Sequence, residues 1–240
     1  MEIVIKPKIL WPEKIKTGKG YKALFINPPS VPYNLLVGAL SNKDEYLYQT
    51  VSMPMGILYL SSVLKKYRPD IEIHLIDLAK EYHDFVADEF RQEIELNEFI
   101  DKVLIEKIPS DFIPDFVGIS VLFSTAHNST NHIAQVVKNR YKSAPVVVGG
   151  MHATSAIDSL LSFPDVDFVC KGEGESIVST LADICNNLVH ESKDDLSISQ
   201  YNQFKDKLTE LGSLNNIKTP LVKNERNLKM GMPNRASSTI

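Results

Sequence analysis

The sequence is poor in cysteine: 240 residues hold two, Cys170 and Cys185. Two thiols so placed make neither a disulfide framework nor a metal cluster, and both are expected to be small buried hydrophobes in a reducing cytoplasm. No apolar run approaches the roughly 18 to 20 residues that a membrane-spanning helix needs. The first twenty residues, MEIVIKPKILWPEKIKTGKG, are interrupted by Lys and Pro and do not read as a secretory signal. The net charge is −4, so no overall basic field points to nucleic acid. Several familiar motifs are missing as well. The first predicted strand ends in Asn27-Pro28-Pro29 rather than a Gly-x-Gly-x-x-Gly turn, and the chain has no Walker loop and no Gly-x-Ser-x-Gly elbow. A phospho-receiver reading fails too: Lys171 fits that scheme, but the clustered acids after the first strand are absent.

What is present is ordinary in bulk, 43% hydrophobic and 23% charged, and distinctive in order. The chain is organised around Asp115 to Glu175. There DFVGISVL, APVVVGG and VDFVC each run into a polar or glycine-rich break, and a helical pattern follows each break. Upstream, KALFIN (Lys22 to Asn27) and IEIHLID (Ile71 to Asp77) give two more strands. Between them, PMGILYLSSVLKKY places Ile57, Leu60, Val63 and Leu64 on one helical face. Residues 30 to 53, with Tyr33, Tyr46 and Tyr48, show no strong period and read as a long loop. In the acidic segment 80 to 110, Leu96, Phe99, Ile100, Val103 and Leu104 share a helical face. The acids there read as a solvated surface.

After the third strand, Ile133, Val136, Val137, Arg140 and Tyr141 fall in helical register, with Asn128 or Ser129 as N-cap. A short helix is expected from about Thr154 to Leu161, and a longer one after the fifth strand burying Ile177, Val178, Leu181, Ile184 and Leu188.

Five strand–helix units with near-continuous apolar strands predict an α/β fold, a doubly wound parallel five-stranded sheet covered on both faces. The favoured strand order is the flavodoxin-like, Rossmann-like 2-1-3-4-5. The domain reading is an extension over residues 1–20 and a core domain over 21–190. Residues 191–240 read as a helical segment followed by a basic, poorly ordered tail.

Ligands of such sheets collect at the carboxyl ends of the strands. There the chain sets Ser120 and Ser124, which can donate to or accept from a flat base or a ribose. Gly149 and Gly150 permit close backbone approach. Gly172 and Gly174 precede a predicted helix N-terminus, where exposed N–H groups suit phosphate or amide oxygens. Any one of these glycines alone reads as a tight turn. Together, at three adjacent strand ends, they point to a large ligand along the sheet edge. Nucleotide-sugar binding of the glycosyltransferase kind is the weaker alternative that the same turns allow.

As a set, the motifs resemble the N-terminal cobalamin-binding domain of cobalamin-dependent radical S-adenosylmethionine enzymes. The similarity runs over about residues 22 to 190. It is carried by Asn27-Pro28-Pro29, Pro54-Met55-Gly56-Ile57-Leu58-Tyr59-Leu60-Ser61 and Pro114-Asp115-Phe116-Val117-Gly118-Ile119-Ser120. Val148-Gly149-Gly150-Met151-His152-Ala153-Thr154, Val166-Asp167-Phe168-Val169 and Gly172-Glu173-Gly174-Glu175 complete it. The resemblance implies that Ser120-Val121-Leu122 and Gly149-Gly150 embrace the nucleotide tail of the cofactor. The corrin ring would cap the strand ends, with Asn27, Pro28, Pro29, Gly172, Glu173 and Gly174 facing it. Met55, Gly56, Ser124, Met151 and His152 complete the implied cofactor-binding set.

Two departures shape the expectation. The Asp-x-His-x-x-Gly loop that supplies a lower cobalt ligand elsewhere among cobalamin domains is absent. The implied cofactor is therefore base-off cobalamin with no protein histidine on cobalt, and His152 packs or hydrogen-bonds beside the nucleotide loop. His83, His127 and His132 have no support as ligands. The Cys-x-x-x-Cys-x-x-Cys run of the radical domain is also absent. An iron–sulfur cluster and S-adenosylmethionine would then come from a radical domain in cis or in trans, and the chain reads as part of a longer enzyme or as a stand-alone corrinoid module. By the same resemblance, methylcobalamin would donate methyl to a substrate radical, or cob(I)alamin would be remethylated from S-adenosylmethionine. No residue here need be an acid, a base or a nucleophile. A degenerate or sensory module is the competing class.

Overall fold

A computed structural model describes residues 21–41, 52–88, 94–142, 144–172, 174 and 217–218. Its centre is a parallel sheet of β1 (Tyr21–Asn27), β2 (Ile71–Asp77), β3 (Phe116–Ser120), β4 (Val146–Gly149) and β5 (Phe168–Cys170). These strands lie in the order β2-β1-β3-β4-β5, as the sequence predicts, and β6 (Ile217–Lys218) pairs antiparallel with β5. That last pair falls inside the stretch read from sequence as a tail. The helix predicted after the fifth strand, the helical segment expected after residue 190, and Cys185 lie outside the described residues.

The helices are α1 (Tyr33–Ser41), α2 (Met55–Tyr67), α3 (Leu78–Asp88), α4 (Leu96–Lys107), α5 (His127–Arg140), α6 (Met151–Ser155) and α7 (Ile157–Leu161). Three depart from the sequence reading. Helix α1 occupies part of the expected loop. Tyr33, Leu36, Val37 and Leu40 recur at helical spacing, Leu36 is buried, and the Leu36 amide donates to the Pro32 carbonyl at 3.0 Å. Helix α5 begins before the predicted caps, directly after a single 3-10 turn at Ser124–Ala126. Ser129, inside the helix, donates instead to the carbonyls of Ala126 (3.0 Å) and Pro29 (3.3 Å). The helix expected over 154–161 is two short ones, broken at Ala156.

Strand periodicity divides the core into two clusters. On one face, Leu24, Ile26, Val117, Ile119, Val146, Val148 and Val169 pack against buried residues of α1, α3, α4, α5, α6 and α7. On the other, Tyr21, Ala23, Phe25, Phe116, Val147, Phe168 and Cys170 meet Ile57 and Leu64 of α2.

The amino ends of β3 and β5 share a device. Asp115 exchanges backbone hydrogen bonding with Lys22: its amide donates to the Lys22 carbonyl (2.8 Å) and its carboxylate accepts from the Lys22 amide (2.7 Å). Asp167 does the same with Val146, amide to carbonyl at 3.0 Å and carboxylate from the Val146 amide at 2.7 Å. Its carboxylate also pairs with Lys138 at 2.6 Å. The Asp-Phe-Val at 115–117 and at 167–169 is thus a latch that replaces a neighbour's missing ladder bond with a charge-assisted one.

Candidate functional site

The second face is incompletely filled. Phe25, Gly118 and Val147 stand in one row across the sheet, Phe25 beside Gly118 and Gly118 beside Val147. Gly118 has no side chain because Phe25 occupies its space: a Cβ there would lie 2.6 Å from the Phe25 ring. That ring meets Phe116 edge-on at 5.7 Å. Above this floor, between the strands and α2, lies a cavity of about 190 Å³. Its walls include Gly56, Ile57, Tyr59 and Leu60 of α2, Ser120 of β3, Gly149 of β4, Cys170 of β5, and Gly150, Gly172 and Gly174 in the turns beyond. An apolar cavity of roughly 150 Å³ can hold a benzene ring, so this one has room for a flat aromatic group.

The glycines differ in what they permit. A Cβ on Gly149 would make ordinary contact with Cys170 at 3.7 Å, and one on Gly56 would lie 3.8 Å from the Ser120 hydroxyl. These positions leave open space. Gly150 has φ +107° and a Cβ there would strike the Val121 carbonyl at 2.6 Å. Gly150 is therefore required by the backbone, where two loops cross: Val121 donates to the Gly149 carbonyl (2.7 Å) and His152 donates its amide to the Val121 carbonyl (3.1 Å). The hydroxyl of Thr154 donates to the Gly150 carbonyl (3.2 Å) and accepts from the Gly172 amide (3.0 Å), joining the β4 and β5 turns.

Of the residues singled out in the sequence, Gly56, Ser120, Gly149, Gly150, Gly172 and Gly174 line the cavity. Met55, Leu122, Ser124 and Met151 are exposed at the rim, where Met53, Tyr59 and Phe123 add apolar surface. Asn27 is engaged elsewhere, its amide donating to the Asp77 carboxylate at 2.8 Å, and Pro28 and Pro29 are buried. Glu173 lies outside the described residues.

His152 meets His127, Nε2 to Nδ1, at 2.9 Å, with the rings edge to face at 5.1 Å. The other His127 nitrogen meets the Ser159 hydroxyl at 3.1 Å. Burial, and then the neighbouring His152, hold the His127 imidazole below its usual pKa. Burial pushes the Cys170 thiol up to about 12, which keeps it an inert apolar wall. Among the described residues no group of three or more His, Cys, Asp or Glu could hold a metal ion, and no helix is long and apolar enough to cross a membrane.

Phe25, Gly118, Phe116, Leu60 and Val147 were not singled out as site residues in the sequence. For the strand residues the signal was the period-2 alternation of β1, β3 and β4, which becomes a surface once register is known, and for Leu60 it was the apolar face of α2.

The groove and its apolar rim lie at the carboxyl ends of the strands, where sheets of this kind collect ligands. Residues 48–182 match the model of the B12 binding domain family, and the chain belongs to that family. It is also similar to cytidylyl-2-hydroxyethylphosphonate methyltransferase of Streptomyces wedmorensis, 27% identical over 178 residues, which are 71% of this chain and 30% of the relative. The chain thus spans less than a third of that relative's length. No solved structure matches significantly.

Proposed function

We propose that the chain binds cobalamin with the corrin ring over the exposed apolar rim and the nucleotide tail in the groove under α2, in the service of methyl transfer. The observation that carries this reading is the cavity between α2 and the strand ends, lined by Gly56, Ser120 and Gly149, in an otherwise close-packed interior. Ser120 sits where a hydroxyl can bond the tail. Gly172 and Gly174 keep the mouth of the groove free of bulk. The rim residues Met55, Leu122, Met151 and Tyr59 offer soft and aromatic contact to a flat macrocycle.

The cofactor supplies the methyl-carrying cobalt; the residues of this chain bind, orient and shield it. His152 is occupied by His127, which favours cobalamin bound base-off without a histidine on cobalt. Methyl transfer is supported by the name of the Streptomyces relative. The chain's two cysteines do not make a three-thiolate cluster site, so a radical S-adenosylmethionine domain, in cis or in trans, is the partner this reading requires.

The test is a titration of the chain with hydroxocobalamin and methylcobalamin, read by ultraviolet–visible spectra and followed by gel filtration. Co-eluting corrinoid with a base-off spectrum is expected. Retained base-on cobalamin would overturn the coordination, and no retention at micromolar protein would overturn cobalamin binding itself.

A further inference from the structure

We propose that the groove selects among corrinoids by the polarity of the tail base: it accepts benzimidazole-type and phenolic tails and disfavours purine tails. This rests on the reading above that the tail enters the groove. Among the described residues, the walls deep in the groove are Phe25, Leu60, Phe116, Val147 and Cys170. The strand floor offers no further partners, because Phe25, Gly118 and Val147 pair in continuous parallel ladders with β2, β3, β4 and β5. The Cys170 thiol stays protonated and is a weak donor and a weak acceptor. Tyr59 also lines the groove and is 57% exposed. Among the described residues that line it, Ser120 is therefore the polar side chain that serves the interior.

A dimethylbenzimidazole base has two ring nitrogens, one of them already bonded to the ribose, and a phenolic tail has no exocyclic donor. Ser120 can satisfy either. An adenine tail carries an amino group and several ring acceptors. Seated here, it would leave polar atoms stripped of water with few partners to replace it. An apolar pocket penalises such a group by about tenfold to hundredfold.

The experiment uses the full chain and four corrinoids: cobalamin, p-cresolylcobamide, adeninylcobamide and cobinamide, which has no nucleotide tail. All are taken as dicyano forms, in which no tail base is bonded to cobalt, so base–cobalt bond strength does not enter. Affinities are read by spectral titration and gel filtration. The expected order is cobalamin and p-cresolylcobamide alike, adeninylcobamide at least tenfold weaker, and cobinamide weaker than cobalamin. Val147→Thr, which adds a hydroxyl at nearly constant volume, should narrow the gap between adeninylcobamide and cobalamin at an unchanged circular dichroism spectrum.

Equal binding of adeninylcobamide and cobalamin, with cobinamide weaker, overturns the selectivity while leaving the tail in a groove. Cobinamide binding as tightly as cobalamin overturns it by showing the tail outside. Failure of all four to bind overturns the corrinoid reading, and this inference with it.

Discussion

The two faces of the sheet are built from the same strands and end differently. On one, branched side chains alternate without a gap, from Leu24 and Ile26 through Val117 and Ile119 to Val146 and Val148, and six helices cover them. On the other, among the described residues, one helix covers a row in which Gly118 lies between Phe25 and Val147. The first face is a stabilising core. The second has a core at its amino end, where Tyr21, Phe116, Ile71 and Leu64 are buried, and a cavity toward its carboxyl end. The difference shows how little is needed to turn packing into binding. Small residues at the strand ends and on α2, Ser120, Gly149 and Gly56, border the space, while the opposite face supplies the stability that the open one forgoes.

The comparison can be broken most forcefully on the packed face. Leu24 is fully buried, so Leu24→Ala should cost about 2–5 kcal/mol in urea denaturation. Gly149→Ala on the open face should change stability by less than about 1 kcal/mol, because its Cβ meets only an ordinary contact. Similar losses for both would mean that the faces are not energetically distinct.

Next in size is Gly149→Leu. Its side chain should fill the groove and abolish cobalamin retention on gel filtration while circular dichroism stays native. Undiminished uptake by this variant would sink the assignment of the groove to the tail. Gly150 is unsuited to that test, since any side chain there meets the Val121 carbonyl and strains the backbone.

The smallest effect belongs to the rim, where α5 and α6 meet through His127 and His152. Because burial and His152 hold the His127 pKa below 6.5, the unfolded chain takes up that proton first as pH falls. Stability is then lost as pH drops from about 6.5 toward the folded-state pKa. The melting temperature of the native chain should fall more between about pH 7.5 and pH 5.5 than that of His127→Asn, which keeps a partner for His152 without a titrating group. Parallel curves would remove His127 as the cause.

Much of this was legible in the sequence. The five parallel strands follow from apolar runs ending at breakers, their order is the one favoured for a doubly wound sheet of this kind, and the buried face of α4 follows from its spacing. Helix α1 was read as loop because Pro32 and Gly38 punctuate a segment too short to show its period plainly, although Pro32 sits just before the helix, where proline is tolerated. The turn glycines of the site were visible as letters at strand ends. The groove itself was not: that Gly118 faces Phe25 is a fact of register, set by pairing between strands some ninety residues apart. The partner of the Asn27 side chain was not legible either, because local sequence does not reveal that Asp77, its neighbour across β1 and β2, holds the amide.

The aspartates at the amino ends of β3 and β5 acquire a meaning beyond hydrogen bonding. A slip of β3 by one residue against β1 would separate the Asp115 carboxylate from the Lys22 amide and turn Gly118 toward the packed helices, closing the groove and opening a hole in the core. The same holds for Asp167 and the Val146 amide. These two carboxylates, at the end of the sheet opposite the cavity, act as keys to strand alignment. They determine which side of the molecule can receive a guest, and they leave the loops at the opposite end free to vary without disturbing it.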